Sequence, residues 1–384
     1  MQDQENRFSI SSSAYLAAVK TAARAVVPKP VIPALSNLRF EVQDGLLTVS
    51  ASDTETTIRV RCETVACAYE GTFLVPNEFA VEPFKGLNTV LDFEISGTVA
   101  YVSWKGGMVT LPALSDEDWP LPEDNTGEAE SGVVDAVTLK EALEMVDYAC
   151  SKDDIRPVLQ GVLFEFLGKG LDITATNAHI LTSATVPKAE SPKAFLFVLP
   201  KKTAAVVKAM LGGGGDEIIV SLVGNSVSFS LAGGWRVIEG RLLEGKFPNW
   251  RAVVPKDLPH YAVVSKEALC GAWERVDACT GDNGLLRIEL RPPMMELSGR
   301  NLGWQVSGME EVSCDTDSGG LVLGCRTGFF GMVTDKIPGT KVRIEMRDAR
   351  SNIIFRDAEE EEYKAWQPRA FAMLTPMMLS DELS

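Results

Sequence analysis

The chain has 384 residues, 45% apolar and 23% charged, with 53 acidic against 37 basic side chains and a net charge of −16. That length predicts two or three domains able to bury their own cores, and no run approaches the roughly 18 consecutive apolar residues of a membrane span. The acidic total argues against indiscriminate adhesion to nucleic acid, because like charge repels the phosphate backbone at long range.

The start, Met1 to Asn6, is polar and acidic. It lacks the basic flank and apolar centre of an export signal, which predicts a cytoplasmic protein. From there the predicted elements recur with one long period. A helical pattern over Ser13 to Arg24 precedes two alternating runs, Asn37 to Val42 and Gly45 to Asp53, the signature of a hairpin with one buried face. A further apolar strand ends near Pro76, and the segment closes at Trp119-Pro120. The order repeats with a helix over Leu139 to Cys150, the runs Gly161 to Phe166 and Gly170 to Asn177, a strand ending near Pro200, a helix over Lys201 to Leu211, strands from Glu217 and Ser226, and Phe247-Pro248. It repeats again with a helix over Ser265 to Cys279, the runs Gly284 to Leu290 and Met295 to Arg300, a strand ending near Cys325, a helix over Thr327 to Ile337, and Thr375-Pro376. Three α+β units are therefore expected, over 1–127, 128–255 and 256–384. Asp116 to Asp118 with Pro120 to Glu130 form the first linker and Val254 to Pro259 the second.

Catalytic chemistry finds little support. Nucleophilic catalysis wants a Ser or Cys beside a base, but the chain has two histidines, and His260 lies in the Pro-flanked second linker. That leaves His179, with no GxSxG around any serine. Seven scattered cysteines without a CxxC read as reduced thiols, and no metal-ligand spacing occurs. Gly212 to Gly215 follows a helix without the Lys-Ser/Thr of a phosphate loop, so it reads as a helix cap and turn. The acidic run Asp357 to Glu362 reads as a solvated hairpin loop. No catalytic, metal or cofactor site is expected.

Charge distribution says more than the total. The three units carry −8, −2 and −6, and the middle one concentrates Lys201, Lys202 and Lys208 on an alanine-rich helix. The terminal stretch Phe371 to Leu379 is apolar and methionine-rich. Part of it can serve as a last core strand, while the rest suits an adaptable partner-binding patch. A hydrolase or transferase on a repeated scaffold, or an interaction scaffold without a DNA role, remain open on this reading.

Several stretches together resemble the bacterial β sliding clamp family: Ile32 to Leu38, Asp154 to Glu165, Ala175 to Leu181, Leu243 to Arg251 and Thr375 to Leu379. The resemblance runs essentially end to end. It implies a head-to-tail homodimeric ring around duplex DNA, without catalysis, that is opened by an ATP-driven loader and tethers polymerase and repair factors through short peptides. It places a peptide pocket at Leu159, Thr176, Ala178, His179, Ile180, Leu181, Pro248, Val253, Phe329 and Leu374, Thr375, Pro376, Met377, Met378 and Leu379. It places Arg24, Lys29, Lys152, Arg156, Lys201, Lys202 and Lys208 towards DNA. Ala178 and Ile180 stand where well-known members carry Gly and Arg, Ala252 replaces another arginine, and Glu78 stands near a usually basic position. The implied pocket is correspondingly more apolar.

Overall fold

The computed structural model describes residues 6–120, 127–212, 216–281, 284–365 and 367–379. A similar element order recurs along the chain, with the short strand β5 in the first stretch alone. The first copy runs β1 (Arg7–Ser11), α1 (Ser12–Ala22), β2 (Asn37–Gln43), β3 (Leu46–Ser52), β4 (Thr56–Glu63), β5 (Ala66–Cys67), β6 (Gly71–Pro76), α2 (Asn77–Ala80), β7 (Val90–Ser96), β8 (Val99–Trp104) and β9 (Gly107–Pro112). The second runs β10 (Glu130–Asp135), α3 (Ala136–Val146), β11 (Gly161–Phe166), β12 (Lys169–Thr176), β13 (Ile180–Glu190), β14 (Phe195–Pro200), α4 (Lys201–Met210), β15 (Glu217–Val223), β16 (Ser226–Leu231) and β17 (Arg236–Arg241). The third runs β18 (His260–Ser265), α5 (Lys266–Asp277), β19 (Leu285–Arg291), β20 (Met294–Asn301), β21 (Val306–Thr316), β22 (Val322–Arg326), α6 (Thr327–Lys336), β23 (Lys341–Met346), β24 (Ile353–Asp357) and β25 (Arg369–Leu374).

The chain packs as two compact units, Met1–Ala136 with Ala205–Leu242, and Val137–Ala204 with Leu243–Ser384. Within the first, one sheet has the order β6-β2-β3-β4-β17-β16-β15-β10. A second, smaller sheet has the order β5-β1-β7-β8-β9. Within the second unit the matching order is β14-β11-β12-β13-β25-β24-β23-β18. There β18 also pairs with the end of β21, which continues through β20 and β19 to β22. Alternation along the strands sends one face inward, as in β2, where Leu38, Phe40 and Val42 are buried.

Helix α1 starts where Ser11 accepts a hydrogen bond from the Ala14 amide, an N-cap that satisfies one of the free N–H groups of the first turn. Its Tyr15 enters an aromatic cluster, 5.0 Å from Phe84 and 5.6 Å from Phe93 between ring centroids. The Tyr15 hydroxyl is buried without a hydrogen-bond partner, and burial pushes its pKa up. Because an unpaired buried hydroxyl costs its desolvation, Tyr15→Phe is expected to raise stability by about 1 kcal/mol. Chemical denaturation of the two proteins side by side checks this, and a loss of stability would contradict it.

The predicted helices are all present, with several ending in a tighter turn than expected, as at Ala23–Ala25 and Asp147–Ala149. The second helix of the first copy is only one turn, because Pro83 enters a 3-10 turn at once. His260 is not in a linker. It opens β18 opposite Met346, so a strand begins where two prolines suggested coil. The acidic run does connect β24 to β25, yet its first residue, Asp357, is buried and accepts a hydrogen bond from the Tyr363 hydroxyl. Residues 121–126 of the first linker and Gly213 to Gly215 of the glycine run lie outside the described residues.

Candidate functional site: the junction of β13 and β25

The sequence places its apolar tail and its histidine far apart; strand pairing brings them together. Strands β13 and β25 run antiparallel with Ile180 opposite Leu374 and Leu181 opposite Met373. The Thr375 amide then donates to the His179 carbonyl at 2.9 Å, and the Met377 amide to the Gly324 carbonyl at 2.7 Å. The tail is thus pinned at both ends of Thr375–Met377. Gly324 permits this because a Cβ there would lie 2.6 Å from the Met377 carbonyl oxygen and against Leu379.

The turn carrying the histidine is built by Asn177. Its side-chain oxygen accepts from the amides of His179 and Ile180, both at 2.9 Å, an Asx turn that holds Ala178 at a φ of 72°. Thr176 donates its hydroxyl to the Ile180 carbonyl and accepts from the Ala178 amide. Beyond the turn the imidazole of His179 stacks on Phe329 at 5.2 Å.

Beneath lies a cluster of Leu159, Leu163, Leu181, Val198, Phe247, Trp250, Ile354 and Met373, with Phe371 and Val254 packed against it. One ion-pair network holds Trp250 in place. Arg251 donates to Glu165 at 2.8 Å and to Asp172 at 2.6 Å, lies 4.2 Å over the Trp250 ring, and the Trp250 indole N–H donates to Glu165.

The residues expected at a pocket therefore divide by exposure. Leu159, Thr176, Ile180, Leu181 and Leu374 are buried and can act only as walls. Ala178, His179, Pro248, Val253, Thr375, Met377 and Met378 are exposed and can meet a ligand, with Phe329, Pro376 and Leu379 half-buried beside them. Sequence reasoning missed Arg251, Glu165, Asp172 and Gly324 as supports. The only signal available was Glu165 and Arg251 inside two of the resembling stretches.

The expected basic set is spread over the 3-10 turn after α1, helix α4 and loops. In the first unit Arg24 donates to the Ala209 carbonyl, and exposed Lys29 sits at a φ of 60°. In the second, Lys152 and Arg156 are exposed on the segment before β11, and Lys201 and Lys202 open α4. Lys208 is in the last turn of that helix.

The Cys150 and Cys62 thiols are not poised for nucleophilic attack. Burial pushes the Cys150 thiol up to about 12 despite the opposing charge of Lys201, and the Cys62 thiol up to about 11, so both stay protonated near neutrality. Among the described residues no cluster of His, Cys, Asp and Glu is arranged to hold a metal ion, and no helix is long and apolar enough to cross a membrane.

Sheets that run from one repeated segment into the next define the class as clamp-fold proteins, and solved structures agree. A DNA polymerase sliding clamp from Pseudomonas aeruginosa crystallised with a ligand superposes with a TM-score of 0.89 at 22% identity, covering 97% of this chain and 100% of that one. The Bacillus subtilis sliding clamp gives 0.85 at 19% identity, covering 97% and 99%. Models of the DNA polymerase III beta subunit match its N-terminal domain to residues 6–123 and its central domain to 133–249, and together span more than half of the chain. The beta sliding clamp of Micrococcus luteus is 28% identical over 313 residues, 80% of this chain and 99% of that protein. That of Escherichia coli K12 is 24% identical over 337 residues, covering 87% and 91%. The chain belongs to the bacterial β sliding clamp family, the non-catalytic processivity subunits of DNA polymerase III.

Proposed function

We propose that the chain forms a head-to-tail homodimeric ring of six α+β domains, over 1–127, 128–255 and 256–384 in each protomer. The ring encircles duplex DNA in the cytoplasm, is opened by an ATP-driven loader, and tethers polymerase and repair factors by short peptides. One observation carries the reading. In the first two copies the third long strand takes the last strand of the following copy, β4 pairing with β17 and β13 with β25. Among the described residues the corresponding strand of the third copy, β21, has no such partner along 306–311, and β9, the last strand of the first copy, has a free outer edge. Unpaired edges of this length are templates for another chain. A second protomer satisfies both at once, because β9 of one can complete β21 of the other, and two such joints close a ring.

The register follows from the same relay. Arg59 faces Ser50 on β3 and Val237 on β17. Met309 faces Ser298 as Arg59 faces Ser50, and Met108 faces Ser103 as Val237 faces Ser230. Met309 therefore meets Met108 of the partner subunit, and the two are 63% and 64% exposed in the single chain.

A ring needs no tight grip on DNA. Arg24, Lys29, Lys152, Arg156, Lys201, Lys202 and Lys208 are assigned to its inner face, touching phosphates in the non-specific range of roughly 10⁻⁴–10⁻⁶ M, while topology supplies retention. The test is retention after loading on circular DNA, expected to vanish when the circle is cut. Persistent binding to short linear duplexes would overturn the reading. At the β13–β25 junction, Met377→Asp with Leu379→Asp is expected to weaken peptide binding about 100-fold, as removal of two apolar anchors does, and to leave the dimer intact. Unchanged affinity in a direct titration would contradict the site.

A further inference from the structure

The peptide site has a structural twin that differs in chemistry. The 3-10 turn Pro33–Ser36 buries Leu35 as Pro157–Gln160 buries Leu159. Arg39 faces Leu74 across β2 and β6 in the place where Leu163 faces Val198 across β11 and β14. Thr57 faces Ser52 on β3 and Glu239 on β17, as Leu181 faces Thr176 and Met373. The edges agree as well, since the Arg241 amide donates to the Glu55 carbonyl as that of Thr375 does to His179.

Around the twin an apolar cluster of Ala34, Leu35, Leu74 and Trp119 remains. The three positions that would complete the floor hold Arg39, Thr57 and Glu239 in place of Leu163, Leu181 and Met373. These line a cavity of about 500 Å³ together with Arg59, Ser228 and Arg241. Arg39 is only 14% exposed and is held by Asp116 at 2.9 Å and Glu41 at 2.7 Å, and Glu239 is paired with Arg59. An apolar side chain entering here would strip water from paired charges and offer them nothing in return, whereas at the β13–β25 junction it meets hydrocarbon. The third copy repeats the substitution. Arg287 faces Gly324 where Leu163 faces Val198, and it is bound by Glu289 and Glu296.

We propose that Arg39, Thr57 and Glu239 are specificity-determining residues that turn the first copy of the peptide floor into a polar cavity, while Arg287 sets a paired charge at the matching position of the third, and so confine apolar peptides to the β13–β25 junction. This rests on the reading of that junction as the peptide site.

The test is the variant R39L/T57L/R59S/E239M, in which R59S removes the cation that E239M would strand. The probe is a fluorescein-labelled peptide whose only apolar residues are leucine and phenylalanine, counted per chain by native mass spectrometry and titrated by anisotropy. The unchanged chain is expected to bind one peptide, the variant two, and the variant carrying Met377→Asp and Leu379→Asp one again. A folded variant that still binds one peptide overturns the proposal, as does an unchanged chain that binds two. An unchanged chain that binds none defeats the reading of the β13–β25 site itself, which separates the two failures. Should the fourfold variant fail to fold by circular dichroism, R39M, which keeps an aliphatic stem and removes the guanidinium held by Asp116 and Glu41, carries the test. A second, weaker binding event absent from the unchanged chain supports the proposal, and none overturns it.

Discussion

Replacing both Met108 and Met309 by aspartate is expected to leave monomers at concentrations where the unchanged protein forms the proposed ring, and to abolish retention on circular DNA. In the proposed register the two side chains lie directly opposite across the joint of β9 and β21, so each variant ring carries two such pairs. Truncating a central apolar anchor costs about 2 kcal/mol or more at an interface, and like charges directly opposite across strands add repulsion. Together these raise the dimer dissociation constant by at least about 1,000-fold. Sedimentation across a dilution series reads the change. The variant carrying Met108→Lys with Met309→Asp separates register from general disturbance, because opposite charges facing each other should recover part of the dimer. If both variants dissociate equally, the register is wrong. If neither dissociates, the joint lies elsewhere.

The second large effect is expected at Arg251. Its guanidinium is half-exposed, but the carboxylates it holds, Glu165 and Asp172, retain only 15% and 12% of their side-chain exposure. Arg251→Met keeps the aliphatic stem over Trp250 and removes the charge, leaving two nearly buried carboxylates without their cation. Breaking a fully buried pair costs about 3–5 kcal/mol. Solvent access on the arginine side lowers the expectation to about 2–3 kcal/mol, read as a lower denaturation midpoint. Peptide affinity should fall as well, since Trp250 loses its clamp and belongs to the floor. A variant of unchanged stability would mean that water supports these carboxylates.

The relation between Arg251 and its partners shows what sequence reading can reach. Glu165 lies 86 residues away and Asp172 79, and no local pattern joins them. By contrast, the hairpins Asn37 to Asp53 and Gly161 to Asn177 are legible because alternation and a turn act within a few residues. Prolines at 255 and 259 dominate the local signal around His260 and predict a linker, while the pairing that makes it a strand comes from Met346. The resemblance places Ile180 in the pocket, and pairing with Leu374 buries it, so that it can serve there only as a wall.

The net charge has a similar limit. A total of −16 argues against indiscriminate adhesion to nucleic acid. That argument concerns binding by affinity, which the proposed ring, retained by topology, would not require.

By itself, the amino-acid sequence determined the elements, their threefold recurrence, the tail's apolar character and the absence of catalytic motifs, since each depends on neighbours within a strand, a turn or a helix. The tertiary structure alone decided which strand follows which across the joints, that the tail is pinned by His179 and Gly324, and that one copy of a repeated floor is apolar while its twin is charged. Backbone hydrogen bonds at a sheet edge are the same for every residue type but proline. The partner of an edge is therefore chosen by where distant segments pack, and only the folded chain records that choice.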